Sequence, residues 1–144
     1  MIQIVFNNAP WNKAAAFYLR TLVFVQEQGI SLKSEFDDLD IDSTFYLVIY
    51  HDKSPVGTIR YQQDDETTLR PDRLCVHKMM RNQGLGRRLI LELEQIGKKQ
   101  HCTLSRVHGE KQAIGFYQKL GYQVVSDEFI EDGIICVLLE KELN

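Results

Sequence analysis

A glycine-rich turn between an apolar strand and an amphipathic helix is the feature that most constrains how this chain folds. Residues 81–88 read Arg-Asn-Gln-Gly-Leu-Gly-Arg-Arg and follow the apolar run 74–76. Gly84 and Gly86 let a ligand approach the backbone closely, and the first amides of the following helix have no intrahelical acceptor. The helix dipole also favours an anion there, so the turn predicts a phosphate site beside Arg81, Arg87 and Arg88.

The residues around this turn weaken the case for two well-known phosphate motifs. A Walker-type loop needs Lys followed by Ser or Thr after its last glycine, whereas Gly86 is followed by two arginines. A dinucleotide fingerprint needs a third glycine at the position of Leu89. The pattern that remains is Arg-x-x-Gly-x-Gly after a strand.

A second segment, residues 113–122, reads Ala-Ile-Gly-Phe-Tyr-Gln-Lys-Leu-Gly-Tyr. Together the two segments resemble the GNAT superfamily of N-acetyltransferases, whose acetyl-CoA signature the first matches. The second is similar to the later family motif Ala-x-x-Phe-Tyr-x-x-x-Gly-(Phe/Tyr). Residues 19–40, which include Glu27-Gln28-Gly29 and an acidic run, are similar to the entry of the ElaA-like branch.

Composition limits the class of protein further. The chain of 144 residues fits a single domain, 1–144, and its net charge of −3 argues against a nucleic-acid partner. Three widely spaced cysteines in apolar surroundings indicate free thiols in a reducing compartment, so we expect a cytoplasmic protein. We expect no membrane span and no metal, because the Cys and His residues lack a second ligand pair at a useful spacing.

Hydrophobic periodicity predicts the order of elements β, α, β, β, β, α, β, α, β, β. A helix is predicted from Pro10 to the stop at Gly29, with Asn8-Ala9 supplying its capping residue, and residues 31–43 form an acidic loop with or without a short helix. The predicted strands are 2–6, 44–51, 56–62, 73–79, 104–108, 122–126 and 134–140, and the later helices are 86–99 and 113–120. This α/β (α+β) order coincides with the GNAT fold, a mixed, mostly antiparallel central sheet of about seven strands flanked by helices.

The resemblance implies an acyltransferase that moves an acetyl group from acetyl-CoA to a primary amine by direct transfer in a ternary complex. In the family the pantetheine arm lies beside the strand 73–79, where the backbone amide at Val76 would face the thioester oxygen. Tyr117 carries over as the general acid; the alternative is a half-buried aromatic on an apolar helix face. The residues that the resemblance assigns to acetyl-CoA are Leu74, Cys75, Val76, Arg81, Asn82, Gln83, Gly84, Leu85, Gly86, Arg87, Arg88, Phe116 and Tyr117.

The base and the acceptor site are less constrained. Glu27 is the first candidate for the general base and His108 the second, although Glu27 is equally well explained as a solvated charge near a helix end. An acidic cluster in the loop suggests a cationic acceptor or is simply solvated, whereas two arginines on strands would bind an acceptor carboxylate or pair with those acids. The candidate acceptor residues are therefore Glu27, Glu35, Asp37, Arg60, Arg73 and His108, beside Asp38 and Asp40.

Departures from the family pattern leave rival functions open. Ile135-Cys136 stands where the ElaA-like branch tends to show Pro-His, so the acceptor of this chain would differ if that histidine shapes the pocket. The main alternative is a non-catalytic CoA-binding sensor or interaction module, and a second is a nucleotide- or phosphoprotein-binding domain. The expected partner is a small-molecule or peptide amine. A homodimer through residues 134–139 would fit their apolar run, which is long for an exposed edge.

Overall fold

The computed structural model describes residues 1–144 as a mixed α/β fold with four α-helices and ten strands. The α-helices are α1 (Pro10–Arg20), α2 (Leu32–Glu35), α3 (Leu85–Lys99) and α4 (Ile114–Lys119), with a π-helical segment at Thr21–Glu27 and 3₁₀ turns at Lys78–Met80 and Lys111–Ala113. The strands are β1 (Ile2–Asn7), β2 (Tyr46–His51), β3 (Ser54–Arg60), β4 (Gln63–Asp65), β5 (Thr68–Leu69), β6 (Asp72–Val76), β7 (Leu104–Glu110), β8 (Gln123–Val124), β9 (Phe129–Glu131) and β10 (Ile134–Glu142).

The strands form two sheets that divide at one point in the chain. One sheet has the order β1-β2-β3-β6, and the other has β4-β5-β7-β10-β8 with β9 added to β10. Pairing is antiparallel throughout except between β5 and β7, which confirms a mixed, mostly antiparallel architecture. The count exceeds the predicted seven because β4, β5 and β9 are pieces of two or three residues that were expected to be connections.

The division of the sheets lies at Arg70 and Pro71, between β5 and β6. β5 pairs with β7, whereas β6, which follows after these two residues, pairs with β3 instead. Proline has no amide to donate to a ladder, so it suits the point where pairing changes. Beyond Pro71 the edge of β6 that faces away from β3 has no strand partner, and the two sheets diverge there.

The core positions α3 against the first sheet through the apolar stripe of that helix. Leu89, Ile90 and Leu93 are completely buried, as the periodicity predicts for Leu89 and Leu93. Gly97 permits close packing, since a Cβ there would lie 3.0 Å from the Leu69 side chain. The amino end of α3, with the glycine-rich turn, is thereby fixed at the opening between β6 and β7.

Several predicted boundaries were wrong. The strand predicted to reach Met79 ends at Val76, because residues 78–80 form a 3₁₀ turn in which the His77 ring nitrogen accepts the Met79 amide. Asn8 does not cap α1: the cap position is Ala9, and the Asn8 side chain donates to the Asp42 carbonyl.

The last long strand, β10, is an inner strand. It pairs with β7 on one side and with β8 and β9 on the other. The 134–139 segment is therefore not an exposed edge as the prediction assumed, although Ile135 within it is 45% exposed, and the oligomeric state stays a prediction. No helix combines the length and the apolar character needed to cross a bilayer.

Candidate active site

The glycine-rich turn forms the amino end of α3 as a cradle with open space in front of it. Gly84 is the cap residue at φ +78°, a left-handed conformation, and no atom lies within 4 Å of where its Cβ would stand. No side chain caps the helix, so its first amides are free to meet a ligand. These features fit an anionic phosphate group, which would meet backbone N–H donors and the positive end of the helix dipole.

A cleft runs from this cradle along the open edge of β6, and we call it the cradle cleft. Gln83 and Arg88 do not line it; the Arg88 guanidinium lies 3.8 Å from Glu92 instead. The predicted acetyl-CoA residues that do line the cradle cleft are Leu74, Cys75, Val76, Arg81, Asn82, Gly84, Leu85, Gly86, Arg87 and Phe116. An edge strand with unpaired backbone groups is suited to an extended ligand that adds alongside it.

Arg81 joins the π-helical segment to the end of β6. Its Nε donates to the Val76 carbonyl at 3.1 Å, and its two terminal nitrogens donate to the Glu27 carboxylate at 2.6 and 2.7 Å. The hydrogen bonds from Arg81 hold the pKa of Glu27 below its usual range. A carboxylate with a lowered pKa is a weaker proton acceptor, and the pair also neutralises much of the charge that Arg81 would offer a phosphate.

A second cleft of about 320 Å³ lies between β6, β7, the 31–37 segment and the β9–β10 hairpin, and we call it the polar cleft. It shares one wall with the cradle cleft, made of Phe24, Gln28, Leu74, Ala113 and Phe116. Its charged and titratable lining residues are Glu35, Asp37, Asp72, Glu110, Glu131, Asp132, Arg60, Arg70, Arg73 and His108. Because the residues of the shared wall line both clefts, two ligands bound in them would lie next to each other there.

Tyr117 lines the polar cleft beside that wall. Its side chain is 9% exposed and packs edge-on against the rings of Phe116 and Tyr122. Gly109 makes room for it, because a Cβ at Gly109 would lie 3.3 Å from the Tyr117 ring. The hydroxyl makes no hydrogen bond to the protein; burial, and then the negative charges of Glu110 and Asp72, raise its pKa. The Tyr117 hydroxyl therefore keeps its proton and donates it to no other group of the protein.

The acids and arginines predicted for the acceptor site are bound to one another. Arg60 lies 2.8 Å from Asp37 and 2.7 Å from Asp72. Arg73 lies 3.2 Å from Glu35 and 3.1 Å from Asp37. Of the two roles predicted for these arginines, the structure shows the pairing with acids. These residues belong to a larger set, which we call the arginine–carboxylate cluster and which consists of Arg20, Arg60, Arg73, Glu35, Asp37, Asp40 and Asp72.

Arg20, which sequence reasoning missed, completes this cluster. Its side chain is fully buried and contacts Glu35 at 2.9 Å and Asp40 at 2.7 Å. Burial opposes ionisation of Asp40, but hydrogen bonds from Arg20 and Tyr46 outweigh it and keep the pKa of Asp40 below its usual range. For Glu35 burial prevails and raises the pKa. The signal was present in the sequence as a charge next to Leu19 on an apolar helix, but nothing local identified its partners.

The departure from the family pattern at Cys136 and the second base candidate, His108, both lie in the polar cleft. Cys136, at the position where the ElaA-like branch tends to show histidine, lines this cleft across from Glu110 in the β7–β10 register. His108 also lines it, with Nδ1 3.2 Å from a Glu131 carboxylate oxygen. Glu131 was missed because it belongs to β9, which was expected to be a connection. No group of three or more potential metal ligands is present.

Comparison with known proteins agrees with this arrangement of a split sheet and a glycine-turn helix. The family model described as an acetyltransferase (GNAT) domain matches residues 23–143. The chain is 35% identical to the uncharacterized N-acetyltransferase YjcF of Bacillus subtilis, covering 88% of this chain and 90% of that protein. The fold and the family match thus define an acetyltransferase, and the chain belongs to the GNAT acetyltransferase family. It is a GNAT-type transferase.

Solved structures give the same fold. A crystal structure of an N-acetyltransferase candidate from Lactobacillus plantarum superposes with a TM-score of 0.96 at 37% identity, covering 99% of both chains. Escherichia coli ElaA superposes with a TM-score of 0.85 at 20% identity, covering 99% of this chain and all of that one. An aminoglycoside 6′-N-acetyltransferase solved with coenzyme A has a TM-score of 0.78 at 18% identity, covering 100% of this chain and 97% of that one. The last two likenesses concern the fold alone.

Proposed function

We propose that this protein transfers the acetyl group of acetyl-CoA directly to a primary amine in a ternary complex. The observation that carries the proposal is the shared wall between the two clefts, beside which Tyr117 holds an unpartnered hydroxyl. In this proposal acetyl-CoA occupies the cradle cleft and the amine occupies the polar cleft. The reacting carbon and nitrogen would then meet without a covalent enzyme intermediate.

The chemistry assigned to the residues follows from this arrangement. The helix α3 amides hold the phosphates, the open edge of β6 aligns the pantetheine arm, and the Val76 backbone amide donates to the thioester oxygen as negative charge develops there. Tyr117 donates its proton to the departing CoA sulfur. Its raised pKa suits this role, because the hydroxyl stays protonated until the thiolate charge forms.

The predicted roles of Glu27 and of the acceptor residues are refined by their contacts. The Glu27 carboxylate is paired with Arg81, which supports a role in holding Arg81 at the cradle rather than in accepting a proton. The pairing within the arginine–carboxylate cluster supports the proposal that its four acids form a wall of the acceptor site and do not act there as free acids. The substrate-binding role of Glu35, Asp37, Arg60 and Arg73 would then be to shape the polar cleft.

We also propose where the protein is located and which kind of amine it acetylates. The three cysteines are buried and unpaired, which supports a cytoplasmic location. The amine is a small molecule or a peptide amine. A non-catalytic CoA-binding module is the alternative, and the unpartnered Tyr117 hydroxyl argues against it because a sensor has no use for a proton donor beside the thioester.

The first test is calorimetric titration with acetyl-CoA of the wild type and of Gly84→Asp. We expect micromolar binding by the wild type and at least a hundredfold loss in the variant, because a carboxylate would repel the phosphates at the cradle. Gly133→Asp is the matched control: Gly133 also has φ +78° with no atom within 4 Å of its Cβ position, so it carries the same backbone strain away from the cradle.

Equal losses in the two variants would contradict the cradle, since strain alone would then explain them. Absence of acetyl-CoA binding by the wild type would overturn the proposed function. Competition by ATP as strong as that by CoA would favour the nucleotide-binding alternative instead.

A further inference from the structure

His108 is placed in the polar cleft by the alternation of β7. The Val107 side chain faces the core and Gly109 is buried on the same face of β7, whereas the side chains of Arg106, His108 and Glu110 lie on the other face and are half-buried. His108 and Tyr117 thus reach the same cleft from different elements. The polar cleft therefore contains an imidazole in addition to the proposed proton donor.

Glu131 fixes one nitrogen of this imidazole. The His108 Nδ1 lies 3.2 and 3.4 Å from the two carboxylate oxygens of Glu131, and Phe129 packs edge-on against the ring at 5.9 Å between centroids. A carboxylate at Nδ1 favours the tautomer with the proton on that nitrogen. The other ring nitrogen, Nε2, is then unprotonated and makes no hydrogen bond to the protein.

Most of the carboxylates that could compete as proton acceptors are already bound, and the remaining one in the polar cleft, Asp132, is exposed to solvent. Glu27 is held by Arg81, and the cluster acids are held by arginines. Glu110 accepts a hydrogen bond from the Gln112 amide at 2.8 Å. An imidazole is also a stronger base than an ordinary carboxylate, which suits the removal of a proton from an ammonium ion.

We propose that His108 is the general base of the transfer reaction and that Glu131 is the residue that positions it. This inference rests on the proposed function. His108 Nε2 takes one proton from the acceptor ammonium, and the neutral amine attacks the thioester carbon. The C–N bond forms, the C–S bond breaks, and the sulfur takes the Tyr117 proton. The second amine proton replaces that proton on Tyr117, and His108 releases its proton to solvent.

The charged surroundings of His108 come from every wall of the polar cleft. Glu131 and Asp132 face it from the β9–β10 hairpin, Arg106 and Glu110 lie beside it on β7, and Arg70, Asp72 and Arg73 line the opposite side. Of these, Arg73 pairs with Asp37 at 3.1 Å and Asp72 pairs with Arg60 at 2.7 Å. Among these groups, Glu131 is the one whose carboxylate lies within hydrogen-bonding distance of the imidazole.

The test compares pH–rate profiles of the wild type, His108→Gln, Glu131→Gln and Glu27→Gln. The assay follows CoA thiol release from acetyl-CoA with n-butylamine and with spermidine as acceptors. We expect His108→Gln to lower kcat/KM at pH 7 by about a hundredfold or more, within the usual range for a lost general base, and to lose the ascending limb below neutrality. We expect Glu131→Gln to lower kcat by about tenfold and Glu27→Gln to keep the limb.

Glu128→Gln is the matched control for the hairpin, because Glu128 pairs with Lys111 at the surface and lines neither cleft. We expect its profile to equal that of the wild type. Acetyl-CoA affinity measured by calorimetry should change less than about twofold in His108→Gln, Glu131→Gln and Glu128→Gln. Nitrogen-15 NMR of the imidazole should show the Nδ1–H tautomer for His108 in the wild type and lose it in Glu131→Gln.

Three results would overturn the assignment of His108. The first is an ascending limb that survives in His108→Gln, the second is its loss in Glu27→Gln, and the third is an Nε2–H tautomer in the wild type, which needs no acceptor to be observed. If the wild type binds acetyl-CoA but releases no thiol with either amine, the transfer proposal fails and the base role fails with it. A normal tautomer with failed turnover therefore identifies the proposed function as the faulty step.

Discussion

At the scale of single residues, the site depends on side chains whose polar atoms are free and on glycines that make room for them. Tyr117 is an example of both, because its ring lies against Gly109 and its hydroxyl has no protein partner. The opposite holds for Glu27, whose two carboxylate oxygens are both occupied by Arg81. The contrast explains why equally plausible polar residues in the sequence have different chemical roles in the structure.

We predict that Tyr117→Phe lowers kcat by a hundredfold or more while acetyl-CoA affinity changes by less than about twofold. The ring and its packing remain, and the proton donor to sulfur is removed. Thiol release with n-butylamine and calorimetry measure the two quantities. Tyr18→Phe is the control, since Tyr18 is 51% exposed on α1 and lines neither the cradle cleft nor the polar cleft. An unchanged kcat in Tyr117→Phe would refute the acid role.

At the scale of elements, the arginine–carboxylate cluster attaches the acidic loop to the rest of the fold. Arg20 on α1 and Arg60 on β3 both bind Asp40 of this loop, and Arg73 on β6 binds Glu35 at the end of α2. Removing one partner of such a buried set leaves an uncompensated charge, which costs more than a surface pair. The loop is therefore a fixed wall of the polar cleft.

We predict that Asp40→Asn lowers the free energy of unfolding at pH 7 by about 3–5 kcal/mol, because Arg20 and Arg60 lose a buried partner. The pKa of Asp40 lies below its usual range in the folded state, so its contribution is complete above the unfolded value of about 3.9 and is lost as the pH falls below it. Urea unfolding at pH 7, 5, 4 and 3 should accordingly show a smaller acid-induced loss in the variant.

Asp42→Asn is the control for this prediction. Asp42 pairs with Lys13 at 3.7 Å and its side chain is fully exposed, so the change should cost less than about 1 kcal/mol. Equal pH dependence in the wild type and Asp40→Asn would show that other groups cause the acid sensitivity.

At the scale of the whole molecule, both clefts exist because the chain passes directly from one sheet to the other, and no hydrogen-bonded strand pair joins the two sheets. β5 belongs to one sheet and β6 to the other, and the opening begins at Pro71. The helix α3 then presents its amino end at this opening. Neither sheet alone would make the site, so we expect the activity to depend on the intact fold rather than on one half of the chain.

Association of the molecule remains a prediction, and the expected surface combines one residue of the 134–139 segment with one of β9. Ile130 and Ile135 are cross-strand neighbours in the β9–β10 hairpin and are 74% and 45% exposed. If they form the contact of a homodimer, light scattering should give twice the chain mass of 16.7 kDa, and Ile130→Lys with Ile135→Lys should give the monomer. A wild-type mass of one chain would contradict the dimer.

Features that depend on neighbours along the chain were predictable from the sequence. The strand before Gly84, the helix after it and the apolar stripe that buries Leu89 and Leu93 follow from glycine conformation and helical period. The boundaries were less predictable. The strand ends at Val76 because the next residues form side-chain and backbone hydrogen bonds in a 3₁₀ turn, and these bonds compete with those of the sheet.

The sequence by itself determined the order of the longer elements, the glycine-rich turn at the amino end of α3 and the family. These features rest on short-range spacing, which one chain displays directly. The tertiary structure alone decided that Arg20 joins Arg60 and Arg73 in one cluster, that Glu27 pairs with Arg81, and that Glu131 reaches His108. Each of these pairs is distant in sequence, and the energy of bringing two polar groups together depends on burial and geometry that only the folded chain provides.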